Sequence, residues 1–123
     1  MKRRYRVEAL PTLYLDFLVA KAERVEERAA DRPYDQAGFH LDLTAQTFFK
    51  TTDSGRTFYY RPTADWRQGG PLLEKHRISV TAVVGGWRAS QDGMAVAYGP
   101  TPLIAAMRSL VVRHYGEEVE FDE

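Results

Sequence analysis

The sequence predicts an α+β domain in which helices pack on an antiparallel sheet, in the order α-(ββ)-α-βββ-α. Three observations lead there. Two segments toward the ends have helical periodicity, residues 78–98 alternate like a three-stranded meander, and glycine, proline and aspartate supply the turns between them. At 123 residues the chain makes one domain, 1–123. A domain of that size takes roughly two-thirds of its unfolded surface out of water, enough for one hydrophobic core.

The first helix is read in "PTLYLDFLVAKAERVEERAA". Leu15, Leu18, Val19, Ala22 and Val25 fall at three- and four-residue steps and make one apolar stripe, while Glu23, Arg24, Glu26, Glu27 and Arg28 give a charged side. Pro11 suits the first turn, where its missing N–H costs nothing, and "DRPYDQ" ends the pattern near Asp31. In "GFHLDLTAQTFFK", Phe39, Leu41 and Leu43 alternate with His40 and Asp42, as in a half-buried strand. "TTDSGR" is a turn by composition and "TFYY" a second strand, so residues 38–61 are expected to form a hairpin.

"RPTADWRQGGPLLEKHRIS" carries mixed signals. Thr63 is a good N-cap, Asp65 suits a first turn, and Trp66, Leu72 and Leu73 are expected to point inward. Gly69-Gly70-Pro71 interrupts the pattern because Pro71 cannot donate a helical hydrogen bond. The expectation is one turn over 64–68, a kink, and then helix from Pro71 to about His76. Next, Ile78, Val80 and Ala82 alternate with Ser79 and Thr81, Gly85-Gly86 turns the chain, "WRAS" returns, "QDG" turns again, and Met94, Val96 and Tyr98 alternate with alanines.

The closing helix has the clearest punctuation. Thr101 is its N-cap, Pro102 its first residue, and Gly116 its stop. Leu103, Met107, Leu110 and Val111, with His114 or Tyr115, form the buried stripe, leaving Arg108 and Arg113 on the wet side.

Composition excludes several classes of function. With 44% hydrophobic and 28% charged residues the chain matches soluble globular averages, which argues against disorder. Runs such as Leu110-Val111-Val112 fall far short of the roughly 20 apolar residues of a membrane helix. No apolar signal core follows the basic "MKRRYRVEAL", so a cytoplasmic location is expected. The absence of cysteine removes disulfides, thiolate nucleophiles and cysteine-held metals. Seventeen basic and seventeen acidic residues balance to zero, a poor match to a protein that neutralises phosphates, so nucleic acid is not the expected partner. The charge is segregated, however: Lys2, Arg3, Arg4 and Arg6 open the chain, and Glu117, Glu118, Glu120, Asp122 and Glu123 close it. These read as solvated termini that attract each other weakly, in preference to a basic arm for an acidic partner.

No catalytic set is legible. His40, His76 and His114 lack the spacings that place two ligands on one helical face, so neither metal nor cofactor is expected. Glu74 and His76 stand two apart and would not face each other on a helix. Asp16 reads as a surface or hydrogen-bonded helix residue, and Ser79, Ser90 and Ser109 lack a nucleophile elbow. The protein is therefore expected not to be an enzyme.

Two stretches suggest binding. In "QGGPLLEK", Gly69 and Gly70 can open a helix and present backbone N–H groups to an anion, with Arg61 and Lys75 adding charge; the plainer reading is a kink that lets Trp66 and Leu72 reach the core. Phe58, Tyr59, Tyr60, Trp66 and Trp87 can form a stacking platform for bases, but aromatic groups of this kind more often divide between core and protein contact. The order helix, three strands, helix is also that of a double-stranded RNA-binding domain. Such domains carry lysines at the start of the last helix, where "PTPLIAAMRS" has none, so the likeness is one of order only.

Taken in order, "VEALPTLYLDFLVAKAE", "YYRPTADWRQGGPLLEKHRISV", "GWRAS" and "YGPTPLIAAMRSLVVRHYGEEVEF" resemble the NinX-like proteins of lambdoid phages and the related phage alpha-beta-alpha sandwich domains. The resemblance spans nearly the whole chain and is weakest between about Ala30 and Arg56. It implies a phage or prophage accessory protein in a bacterial cytoplasm and brings no catalytic residues with it. The function expected is a non-enzymatic module that binds a protein, either a host factor or a second copy, through the aromatic residues beside the broken helix, Tyr60 and Trp66 among them. The alternative is a small anionic ligand or nucleotide held at the Gly69-Gly70 turn with Arg61 and Lys75.

Overall fold

The structure is a computed structural model that describes residues 1–27, 39–51 and 54–123, the side chains of 24–27 excepted. Its helices are α1 (Thr12–Glu27), α2 (Trp66–Lys75) and α3 (Pro102–Tyr115), with one 3-10 turn over Val7–Ala9. The strands are β1 (Lys2–Arg6), β2 (Phe39–Asp42), β3 (Thr47–Thr51), β4 (Thr57–Tyr59), β5 (Ser79–Val83), β6 (Gly86–Gln91), β7 (Met94–Gly99) and β8 (Glu118–Asp122). Among the described residues the strands form three small antiparallel sheets, β1-β8, β2-β3-β4 and β5-β6-β7. The class is α+β, as the sequence predicts, with the strands divided among three sheets instead of one. No helix among the described residues is long and apolar enough to cross a membrane.

At the centre lies α3. The Thr101 hydroxyl accepts from the Ile104 N–H at 3.1 Å, and Gly116 ends the helix at φ 93°. Leu103, Met107, Leu110 and Val111 are buried against β5-β6-β7 on one side and α1 on the other. Small residues let helix and sheet approach closely: Ala89, Ala97 and Ala105 are buried, and a Cβ on Gly99 would stand 2.7 Å from the Ala105 nitrogen. The alanines of β7 therefore face the helix, and Met94, Val96 and Tyr98 face out. Arg108 is not on the wet side as expected. It is half-buried, and its Nη1 donates to the Tyr98 carbonyl at 2.8 Å.

On α1 the predicted stripe of Leu15, Leu18, Val19 and Ala22 is buried. The expected end near Asp31 lies outside the described residues.

The chain termini are not solvated tails. Residues 2–6 pair with 118–122, so Arg4 meets Glu120 in register and reaches Glu118 at 3.8 Å. Exposed pairs of this kind contribute little, and burial does more. Val119 and Phe121 alternate with the acidic residues, are buried, and place Phe121 flat on Tyr14 at 4.0 Å. The hydroxyls of Tyr14 and Tyr5 donate to Glu123 at 2.7 and 2.8 Å, and hold its carboxyl below the usual carboxylate range.

Two further expectations are corrected. The stretch read as one strand across "FHLDLTAQTFF" is itself a hairpin. The Asp42 carboxylate accepts from the Ala45 N–H, and Gln46 takes a positive φ of 54°, so Leu43 falls in the turn and three strands replace two. Helix α2 runs unbroken through Pro71, with Asp65 and not Thr63 as its N-cap. Pro71 costs one hydrogen bond, and the residue before it, Gly70, has no Cβ to collide with the proline ring. Leu72 is buried, but Trp66 points outward.

Candidate functional site

The loop from Tyr60 to Asp65 joins β4 to α2 and is held from both sides. On its inner side the Asp16 carboxylate of α1 accepts from the Thr63 N–H and from the Thr63 hydroxyl, both at 3.0 Å. Asp16 is only 5% exposed, and burial pushes its carboxyl up to about 7, although the Thr63 hydrogen bonds and the Arg61 charge pull the other way. A cleft of about 200 Å³ runs between Thr12, Asp16, Phe48, Tyr60 and Arg61. Tyr60 stands edge-on to Phe39 and Phe48, so it packs the inner face of β2-β3-β4.

On the outer side the Gln68 side chain clamps the loop. Its Nε2 donates to the Tyr59 carbonyl at 2.8 Å and its Oε1 accepts from the Arg61 N–H. One helical side chain thereby fixes the end of β4 against α2. Phe49 lies opposite Tyr59 and Lys50 opposite Phe58, so successive residues of β4 project to opposite faces of the sheet.

Beside this clamp is a concavity of about 710 Å³, bordered by Arg56, Phe58, Tyr59, Arg61, Trp66 and Arg67. Its aromatic groups are unusually open, with Phe58 40%, Tyr59 54% and Trp66 55% exposed. The Arg61 guanidinium lies over the Tyr59 ring at 4.8 Å. Asp65 accepts from the Arg67 N–H at 2.9 Å, and its Oδ1 is 3.6 Å from the Arg67 Nε. Among the described residues bordering it, Asp65 is the one carboxylate and is paired with Arg67, and the exposed rings give contact area with few rotors to freeze.

The residues predicted from sequence divide between this surface and the interior. Arg61 and Trp66 border the concavity, and Tyr60 packs behind it. Gly69 is buried inside α2, where a Cβ would collide with the Pro62 carbonyl oxygen and stand 2.7 Å from Leu103 Cδ2. Its N–H donates to the Asp65 carbonyl at 2.8 Å, and Gly70 follows it within the same helix. At the other end of α2, Lys75 Nζ lies 3.0 Å from Glu23 Oε1, and His76 Nε2 lies 2.9 Å from Glu23 Oε2. Gly69 and Lys75 thus join α2 to its neighbours, and neither they nor Gly70 are gathered at one opening. Among the described residues no group of three or more His, Asp or Glu side chains converges as a metal site would.

Arg67 and Gln68 escaped the sequence reading. The visible signal was the interleaving of arginine with aromatic residues in "GRTFYYRPTADWR".

A family model described as Bacteriophage P22, NinX matches residues 6–114. The chain belongs to the NinX family. The matched span runs from the end of β1 into the last turn of α3 and takes in both the Asp16 anchor and the concavity beside α2. NinX-family membership makes the protein a phage accessory protein. No curated protein matches the sequence.

Proposed function

We propose that the protein is a non-enzymatic interaction module that acts in the cytoplasm of the phage's bacterial host, and that it binds a protein through the arginine-rimmed aromatic surface beside α2. One observation carries this reading: Phe58, Tyr59 and Trp66 are exposed together in one concavity, between Arg61 and Arg67. Aromatic and arginine side chains dominate the energetics of protein contacts, whereas a ring with no partner gains nothing from exposure. The buried ionisable groups supply supporting detail. Asp16 is engaged with Thr63, and Glu23 with Lys75 and His76, so each is spent on joining elements of the fold.

A small anionic ligand is the second reading, favoured by Arg61 stacked on Tyr59 with Arg67 in the same concavity. Such a ligand would be held by side chains and not by the Gly69-Gly70 backbone, because the Gly69 N–H is engaged within α2.

The test is affinity capture from host lysate with the wild type, a Tyr59→Ala/Trp66→Ala variant, and a Met94→Ala control on the far sheet. A protein retained by wild type and control and lost with the double variant supports the reading. Equal capture by all three, or none by any, with tight binding of a nucleotide instead, overturns it.

A further inference from the structure

On a face separate from the surface beside α2, we propose that two copies of the chain pair through the edge strand β5, antiparallel and centred on Thr81, and join their β5-β6-β7 sheets into one of six strands. The strand order leaves β5 with no neighbour on its outer side, and Ser79, Thr81, Ala82 and Val83 are exposed. Val83 and Gly86 close the two-residue turn Val84-Gly85, so the backbone groups of Val83 point to β6. By alternation those of Thr81 do the same, and the N–H and C=O of Val80 and Ala82 point away. The far side of the sheet agrees. Tyr98 stands opposite Arg88 and its carbonyl turns outward to accept from Arg108 Nη1, which leaves the Arg88 backbone to bond Thr81.

The fold caps the other uncharged edges with side chains. On β7 the Ser109 hydroxyl donates to the Ala95 carbonyl at 2.7 Å and Arg108 takes that of Tyr98, while on the three-residue β4 the Gln68 amide takes the Tyr59 carbonyl. β1, β2 and β8 carry charged side chains. By contrast, no group among the described residues bonds the outward N–H or C=O of Val80 or Ala82.

A second copy fits this edge because the strand is its own complement. With the two-fold axis at Thr81, Val80 of each copy meets Ala82 of the other, and every outward N–H of one strand finds an outward carbonyl of its mate. Thr81 stands directly opposite Thr81, a favourable cross-strand pair. Ser79–Val83 has no charged side chain, so the seam brings no like charges together. Arg88, beside Thr81 on β6, lies one strand further in. Its two copies stand about 14 Å apart, three strand spacings, and salt screens them at that distance. The same register lays Val83 against Ser79 of the second copy and carries Val84, fully exposed in the single chain, toward Ile78.

The experiment is sedimentation equilibrium of the intact protein from about 1 to about 500 µM, with the hydrogen exchange of single amides followed at both ends of the range. Wild type is expected to dimerise and, as it does so, to slow exchange at Val80 and Ala82. Thr81→Lys and Thr81→Glu, at an exposed residue, each set like charges opposite one another at the axis and are expected to weaken the dimer at least about tenfold. An equimolar mixture of the two variants is expected to restore it as a heterodimer. Tyr59→Ala/Trp66→Ala is expected to leave it unchanged, so this result is independent of the capture experiment. A monomer throughout the range, a dimer indifferent to the charge of residue 81, or a mixture that stays monomeric overturns the inference. Slowed exchange at Thr57 and Tyr59 in place of Val80 and Ala82, or loss of the dimer in Tyr59→Ala/Trp66→Ala, assigns the contact to the β4 side and overturns it as well.

Discussion

Asp16 connects α1 to the loop between β4 and α2, and it does so as a buried carboxyl raised from 3.8 to about 7. Between those values the folded state holds a proton that the unfolded chain has released. Stability therefore falls as pH rises from about 4 to about 7, by at most about 4 kcal/mol, and levels off above. Asp16→Asn keeps an acceptor for the Thr63 N–H and cannot ionise. Urea unfolding across this range should show a slope in wild type that is absent from the variant, with the variant at least as stable at pH 8. Parallel slopes would mean that Asp16 is not the titrating group. Tyr115 supplies a second test at this scale. Its hydroxyl is buried without a hydrogen-bond partner among the described residues, and burial pushes its pKa up to about 12. Tyr115→Phe removes an unsatisfied polar group and should stabilise the fold by up to about 1 kcal/mol in thermal unfolding.

Among the elements, α2 shows how packing overrides local sequence signals. Gly69-Gly70-Pro71 reads as a break, but the helix is continuous because Gly69 lets the loop at Pro62 and the side chain of Leu103 close on it. Gly69→Ala would improve helix propensity in isolation. Here it should cost about 2 kcal/mol or more, because the new methyl group meets backbone that cannot retreat. Chemical denaturation of the variant checks this, and a stabilised variant would contradict it. The legible elements were those with their own punctuation: α3 between Thr101 and Gly116, and the β5-β6-β7 meander with its glycine turns. The hairpin at 39–51 was misread because Asp42 and Gln46 make a turn without glycine or proline. Of the proposed binding surface, Phe58, Tyr59, Arg61 and Trp66 were named from sequence, but Trp66 was expected to point inward. A tryptophan at a helix start is ordinarily read as core, and only the third dimension shows that Leu72 fills that place.

At the scale of the molecule, the two ends of the described chain are stitched together by β1 and β8 across the face of α1. The alternation of Val119 and Phe121 with acidic residues was present in the sequence but was masked by the charge. Phe121 stacks on Tyr14 and meets Phe17 edge-on at 5.3 Å, so Phe121→Ala should cost about 3 to 5 kcal/mol in global stability. Raising the ionic strength should change stability much less, since the exposed pairs Arg3–Glu123 and Arg4–Glu118 are screened. A large salt effect with a mild Phe121→Ala would reverse that assignment. The fold so closed leaves Phe58, Tyr59 and Trp66 exposed beside α2, the face that we propose binds a protein. The most direct measurement is photo-crosslinking in phage-infected cells, with a benzophenone side chain at position 59 and, in a separate variant, at position 94. One discrete protein adduct from position 59 and none from position 94 is the predicted result. No adduct at position 59, or the same adducts from both positions, would contradict the assignment of this face.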